Sequence, residues 1–341
     1  PSRVLARGLS AARRHAPQPA IYNPWRNCTC GLNTAARPPE TAAEAGSPTG
    51  SFNRRSGEPV RVTVPTKTLP SGAELPALGL GTYDLSDGET ADSVRAALDA
   101  GYAHIDTAEG YRNERAIGDA LAASDVDRDD VFLTSKVLAK NLNYESVIES
   151  CEASLDRLGV DYLDLYLIHW PNPAISLRET LRAMSELRER GLVRDVGVSN
   201  FSAYQLSCAH HVSDVPVAVN QIEFHPWFQR PDLVDYCRET DTVVEAAAPL
   251  ARTDVFGDDV VAELAEKYKV HPAQVVVRWA IDRGVVPLPR SSTPDHVRAN
   301  ADLDWELDDA DRRRLDERDR DAPVYDTPAR DWTSDVYGIE Q

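Results

Sequence analysis

Long hydrophobic runs are missing from this 341-residue chain. No stretch reaches the about 18 apolar residues that a membrane-spanning helix needs, so such a helix is excluded. Cysteine is sparse and unpaired: Cys28, Cys30, Cys151, Cys208 and Cys237 make an odd set without a C-x-x-C, which argues against a disulfide framework and fits reduced thiols in a cytoplasmic protein. Basic charge is short as well. The 37 Lys and Arg face 55 Asp and Glu, a net charge of −18, so a broad basic footprint for nucleic acid is not expected. Lysine in particular is rare, with five in the whole chain. A dense acidic, lysine-poor surface is tolerated where salt screens its self-repulsion, which predicts a halophilic source; an acidic, GC-rich genome is the plainer alternative.

Two chemical signatures are absent too. A metal-dependent barrel hydrolase wants a strand-end H-x-H with further ligands, but His104-Ile105-Asp106 supplies one His. His210 and His211 are adjacent on a predicted helix and point apart, so no metal is expected. A dinucleotide fingerprint fails at its third glycine: Gly79-Leu80-Gly81 is followed by Asp84 where the motif needs Gly.

Residues 1–58 mix Ala, Arg, Pro, Ser, Thr and Gly without periodicity and carry most of the Arg surplus; residues 1–60 hold eight Arg against three Glu. This predicts a disordered N-terminal tail or an extension from an over-long start-site assignment. Arg13-Arg14 has no apolar stretch behind it, so export is not expected. Residues 59–341 form the predicted folded domain. There, short apolar runs at 78–82, 104–106, 131–136, 162–168, 196–199, 219–223, 243–246 and 285–288 alternate with amphipathic stretches. Val147, Cys151, Leu155 and Leu158 share one helical face, as do Leu177, Leu181, Met184 and Leu187. Eight strands interleaved with helices suit either an open doubly wound sheet or a closed barrel. The length of the segment favours the closed α/β form, a (β/α)8 TIM barrel, which takes about 250 residues. Residues 62–75, with Ser71-Gly72 at a turn, predict an extra N-terminal β-hairpin, and 308–319 an outer solvated helix.

In a barrel the C-terminal ends of the strands converge on one mouth. Those ends carry Asp106, Lys136, His169 and Asn200, with Tyr111 in the loop after Asp106. A phenol titrates near ~10, and an ammonium within hydrogen-bonding reach lowers that by roughly 1–3 units. A carboxylate beside the Lys keeps it charged and aimed. Each residue also has a plain structural role open to it: Asp106 as a helix cap, Lys136 in a salt bridge, His169 as a satisfied core histidine, Tyr111 as packing.

The local sequences decide between these. His104-Ile105-Asp106-Thr107-Ala108, Tyr111-Arg112-Asn113-Glu114, Thr134-Ser135-Lys136, Leu167-Ile168-His169-Trp170-Pro171, Gly197-Val198-Ser199-Asn200-Phe201 and Asn220-Gln221-Ile222-Glu223 with His225-Pro226 occur in order. This resembles the aldo-keto reductases over about residues 60–335, in particular the prokaryotic short-loop branch that includes 2,5-diketo-gluconate reductases. The resemblance implies reduction of aldehydes and ketones, keto-sugars or keto-acids among them, by hydride from a nicotinamide cofactor. Tyr111 would be the general acid, Lys136 would lower its pKa, Asp106 would hold Lys136, and His169 would orient the carbonyl. Cofactor contacts are implied at Thr82, Ser199, Asn200, Gln221, Leu250, Arg290, Ser291, Thr293, His296 and Asn300. Thr293 as N-cap and Pro294 at the first helical position would start a helix facing an anion, with the Arg290 fork beside it.

Two departures stand out. Ala247 sits where the family often stacks an aromatic ring, and His296 where many members carry an Arg near the 2′-phosphate. The expectation is NADPH preferred through Arg290, with NADH accepted. Substrate contacts are expected from Tyr83, Trp170, His169 and Trp332, and more weakly from Trp227. The expected partner is a small carbonyl compound and the expected state a monomer or weak oligomer. The rival is a cofactor-binding regulatory or structural barrel with little turnover.

Overall fold

The computed structural model describes residues 65–325. The expected tail at 1–58 and Trp332 lie outside them. The described chain opens with an antiparallel hairpin of β1 (Thr66–Thr68) and β2 (Glu74–Pro76), with Gly72 at φ +88° in its turn. Eight parallel strands follow in sequence order: β3 (Leu80–Gly81), β4 (His104–Asp106), β5 (Phe132–Val137), β6 (Leu163–Ile168), β7 (Val193–Ser199), β8 (Val217–Glu223), β9 (Val243–Ala247) and β10 (Val286–Pro287). Each coincides with one of the eight apolar runs.

The sheet curls until its ends meet. Gly79 N–H donates to Pro287 O and Gly81 N–H to Pro289 O, both at 3.1 Å. The return bonds of a parallel ladder are missing because Pro287 and Pro289 have no N–H, while Leu288 turns its own N–H to Ala246 O of β9. A side chain at position 81 would stand 2.7 Å from Leu288 O, so Gly81 is what lets this seam close.

Helices α1 (Asp87–Asp99), α2 (Glu114–Ala122), α3 (Tyr144–Leu158), α4 (Leu177–Glu189), α5 (Ala203–Val212) and α6 (Pro231–Glu239) each link two successive strands. Two helices, α7 (Asp259–Tyr268) and α8 (Pro272–Asp282), lie between β9 and β10. Helix α9 (Pro294–Ala301) and an outer α10 (Asp309–Asp316) end the described chain's regular structure. The heptad-like faces read from the sequence are buried: Val147, Cys151, Leu155 and Leu158 fully, and Leu181, Met184 and Leu187 with a half-buried Leu177. Inside the barrel a second apolar cluster joins Leu165, Leu167, Val219 and Val286 to Leu69 and Leu75 of the hairpin. The hairpin thus plugs the N-terminal end, and Ser71 fastens it through Asp195 of β7, its N–H donating at 3.2 Å. With one end closed, the opposite end is left as the mouth.

Helix α2 packs on the end of α3 so tightly that a Cβ at Gly118 would lie 2.2 Å from Leu158 O. Ala normally stabilises an exposed helix interior over Gly by about 0.5–1 kcal/mol. Here Gly118→Ala is expected to lower stability by about 1–3 kcal/mol, because backbone must move. Urea denaturation reads the sign directly; a stabilised variant would refute the close approach.

Candidate active site

The barrel mouth assembles its polar residues from strand ends. Asp106 ends β4, Lys136 lies near the end of β5, and His169 follows β6. Tyr111 comes from the loop after β4, and that loop is pinned on both sides. Glu109 accepts from Leu138 N–H at 2.5 Å and Asn141 Nδ2 at 3.1 Å. Beyond Tyr111, buried Asn113 donates to Thr82 O at 2.8 Å and accepts from Thr107 Oγ1 at 2.9 Å. Glu114 is held by Ser135 Oγ at 2.6 Å and Arg157 Nε at 2.7 Å. The Tyr-Arg-Asn-Glu motif therefore places Tyr111 at the cavity, followed by two buried anchors, Asn113 and Glu114.

The four residues singled out in the sequence come together. Lys136 is fully buried, and its ammonium donates to Asp106 Oδ1 at 2.6 Å, Thr107 O at 2.8 Å and the Tyr111 hydroxyl at 3.3 Å. Those three acceptors complete its capacity. The His169 ring stands edge-on to Tyr111, centroids 5.4 Å apart, and Tyr83 packs on Tyr111 in the same manner at 5.2 Å.

Electrostatics correct one expectation. Burial first, then the charges of Asp106 and Tyr83, pushes the Tyr111 phenol well above its usual value instead of lowering it. Lys136 sits 2.6 Å from Asp106, whose charge opposes its effect on the phenol. His169 is driven down to about 3 by burial and by the Lys136 charge, so it is a neutral imidazole at ordinary pH.

A second layer lies beneath. Gln221 donates from Nε2 to Asp106 Oδ2 at 2.8 Å and to Glu245 Oε2 at 2.9 Å. Both amide hydrogens are thereby used and Oε1 remains as an acceptor. Asn200, held at φ +63°, donates from Nδ2 to His169 O and Ser199 Oγ, both at 3.0 Å, which likewise leaves an acceptor oxygen. Ser199 Oγ donates to Gln221 O at 2.9 Å. Two side-chain amides presenting oxygen suit the –NH2 of a carboxamide, so this donor set fits a nicotinamide.

Above them is a cavity of about 290 Å³. Of the expected cofactor residues Thr82, Gln221, Leu250 and Arg290 border it, with Tyr83, Asp106 and Tyr111 from the other sets. Arg290 differs in its partners: it donates to Tyr83 O at 2.7 Å and to Asp84 O at 2.9 Å, and pairs with the Asp84 carboxylate at 3.3 Å, clamping the loop after β3. Helix α9 begins at Pro294 after Thr293 as expected, but the Thr293 hydroxyl caps nothing; Thr293 N–H instead donates to Ser291 Oγ at 3.1 Å. His296 is stacked on His271 at 5.9 Å, and Asn300 is buried. Ser199, Asn200, Ser291, Thr293, His296 and Asn300 lie outside the cavity lining, as do His169 and half-buried Trp170. Trp227 is structural: its indole N–H donates to Asp258 at 2.8 Å and its ring carries the Arg320 guanidinium at 3.8 Å.

Sequence reasoning missed four contributors. Tyr325 and Arg252 line the cavity, and the carboxylate of Glu223 anchors the backbone N–H groups of Val324 and Tyr325. Glu245 is fully buried below Gln221, and burial together with the Asp106 charge pushes it up to about 8. One carboxylate inside the apolar run Val243-Val244-Glu245-Ala246-Ala247 was the available signal for an inward position.

Residues 77–320 match the aldo/keto reductase family. Glyoxal reductase of Bacillus subtilis strain 168 is 38% identical over 265 residues, 77% of this chain and 96% of the relative. The 2,5-diketo-D-gluconic acid reductase B of Corynebacterium sp. is 42% identical over 242 residues, 70% of this chain and 87% of the relative. Among solved structures, the Bombyx mori aldo-keto reductase in complex with NADP superimposes with TM-score 0.72 at 32% identity, covering 77% of this chain and 95% of the other. An aldo-keto reductase from a Medee basin deep-sea metagenome library gives TM-score 0.74 at 35% identity, covering 76% and 97%. Fold and relatives together define a (β/α)8 barrel of the oxidoreductase class. The chain belongs to the aldo/keto reductase family.

His104 and His169 are both held down to about 3 in the folded protein, chiefly by burial. Unfolded, each binds a proton below about 6.5. Their contribution to stability is therefore complete above that value and is lost as pH falls toward 3. The urea midpoint of wild type is expected to fall relative to that of His169→Gln as pH drops from about 7.5 to about 5. An equal drop in both proteins would show that His169 takes up its proton without unfolding.

Proposed function

We propose that this protein reduces small aldehydes and ketones to alcohols with NADPH, accepting NADH less readily. The observation that carries the reading is the buried ammonium of Lys136, 2.6 Å from Asp106 and 3.3 Å from the Tyr111 hydroxyl, two residues that line the cavity. A bound nicotinamide would supply hydride, held at its carboxamide by Ser199, Asn200 and Gln221. The chain's own residues handle the proton. Tyr111 holds it firmly in the resting site, which is the state a general acid needs before reaction. As the carbonyl oxygen gains negative charge it becomes a far stronger base than a phenolate, and the Tyr111 proton passes to it. Lys136, beside the oxygen left behind, stabilises the phenolate at the moment it forms, and Asp106 keeps the ammonium in place. Neutral His169 orients the carbonyl from the other face of Tyr111.

The substrate side has aromatic walls from Tyr83 and Tyr325 and a cation at Arg252. Those suit short polar carbonyls, including keto-sugars and keto-acids, in keeping with relatives named for glyoxal and 2,5-diketo-gluconate. The net charge of −18 and the five lysines support a salt-rich cytoplasm as the working environment.

Tyr111→Phe is expected to lower kcat by about 10²–10⁴ while nicotinamide binding, followed by fluorescence, changes little. Near-parental turnover would remove Tyr111 from the mechanism. Arg290→Ala is expected to reduce the preference for NADPH over NADH in matched kinetics; an unchanged ratio would leave Arg290 as a loop clamp alone.

A further inference from the structure

Glu245 is not used by the proton transfer described above, yet it occupies the centre of the barrel. Its Oε2 accepts from Gln221 Nε2 at 2.9 Å, and the same nitrogen donates to Asp106 Oδ2 at 2.8 Å. One amide thus bridges two carboxyl groups. The other oxygen, Oε1, is buried without a hydrogen-bond partner in the structure and stands 3.7 Å from His104 Nε2. His104 is fully buried, contacts Thr134 Oγ1 at 3.2 Å, and is held neutral. The groups facing Glu245 are therefore Asp106 and His104 from β4, Lys136 from β5 and Gln221 from β8; its β10 neighbour in register is Val286, which brings no charge.

Charge balance in this enclosed space is strict. Lys136 supplies one positive charge and Asp106 one negative. A second carboxylate in the same apolar interior has no cation to pair with, and like charges sharing one site do not both ionise readily. A proton on Glu245 brings the interior to neutrality and removes a negative charge from an oxygen that has no hydrogen-bond donor.

We propose that Glu245 is a positioning residue that must carry a proton for the reductase to work, so that Asp106 stays the sole carboxylate acting on the Lys136–Tyr111 pair. This rests on the carbonyl-reductase reading. When Glu245 ionises, the added negative charge reaches Tyr111 through Asp106 and Lys136, makes the phenol a poorer acid, and pulls on the amide that orients Gln221. Activity then falls on the alkaline side.

The experiment compares full-length wild type with Glu245→Gln, which has the shape of the protonated carboxyl and cannot ionise. A first arm follows kcat and KM for a short aldehyde from about pH 6 to about pH 9.5. The wild type is expected to lose about tenfold in kcat across an alkaline limb near the ionisation of Glu245. In Glu245→Gln the ratio of alkaline to acidic kcat rises several-fold, with KM shifting little. A role that is only structural lowers kcat by one factor at every pH and leaves the limb where it was; that result overturns the proposal.

The second arm needs no turnover. The unfolded chain releases the Glu245 proton near its ordinary value, while the folded protein keeps it until about 8. The contribution of Glu245 to wild-type stability therefore declines through that window, and the Tm advantage of Glu245→Gln widens as pH rises through it and then levels off. A Tm difference independent of pH means that the carboxyl carries no extra proton, and the proposal fails. Wild-type turnover with an unmoved limb defeats the role of Glu245 alone. Absence of turnover with every carbonyl tried defeats the reductase reading and with it the catalytic part of the proposal, while the Tm arm still decides the charge balance.

Discussion

A fully buried ammonium constrains the whole upper half of this barrel. An unpaired charge in an apolar interior is unstable by several kcal/mol or more, so Lys136 is tolerable only with all of its hydrogens directed at oxygen. Asp106, Thr107 and Tyr111 meet that requirement from one strand end and the loop that follows it. The loop in turn needs rigid support, which explains why Glu109, Asn113 and Glu114, none of them at the reacting centre, are tied into neighbouring strands and loops. Loss of Asp106 would leave the buried charge uncompensated, and loss of either neutral acceptor would leave one of its N–H groups unsatisfied. The proposed proton chemistry and the stability of the mouth rest on the same three bonds.

The requirement passes downward. Asp106 has a second oxygen, and Gln221 satisfies it; Gln221 has a second hydrogen, and Glu245 accepts it. The direction of each amide follows from its neighbours, because carboxylate oxygens only accept. Gln221 therefore turns its oxygen away from Asp106 and Glu245. Asn200, similarly oriented by His169 O and Ser199 Oγ, turns out an oxygen as well. The features that suit a carboxamide are thus consequences of how one lysine is neutralised.

Much of this was legible in the sequence. Strand existence and order followed from apolar runs separated by amphipathic helices, and Asp106, Lys136, Tyr111 and His169 were found because strand ends converge in a barrel. The illegible parts depend on distance and field. Spacing places Asp106, Lys136 and Tyr111 together but does not show how deeply the phenol lies, and burial, ahead of the Asp106 charge, pushes it up where a lowered value was expected. Arg290 has the chemistry for phosphate, yet its geometry gives it to Asp84 and two carbonyls. Tyr325 reaches the cavity because Glu223 captures the backbone N–H groups of Val324 and Tyr325, a long-range bond with no local pattern. Thr293 occupies the N-cap position, but its hydroxyl was a matter of rotamer.

The mouth also concentrates backbone strain. Asp84, Arg112 and Asn200 have positive φ on one part of the rim, and Ala248, Ala251, Arg252 and Thr253 on another. Left-handed backbone is costly for residues with a side chain, most of all for β-branched Thr253 at φ +79°. Asn and Asp bear it best, because their short side chains bond locally; Asn200 does so through Ser199 and His169 O. The plugged end, by contrast, places most of its positive φ at glycine, in Gly72, Gly101, Gly159, Gly191 and Gly284, with Asp241 ahead of β9 the non-glycine case. The continuous apolar layer between strands and helices over-determines the scaffold, and that surplus allows the rim to hold conformations its residues would not choose alone. Rigidity is therefore distributed unevenly: a closed apolar end fixes eight strands, and the open end uses that fixity to keep a buried charge, two oriented amides and a strained rim in register.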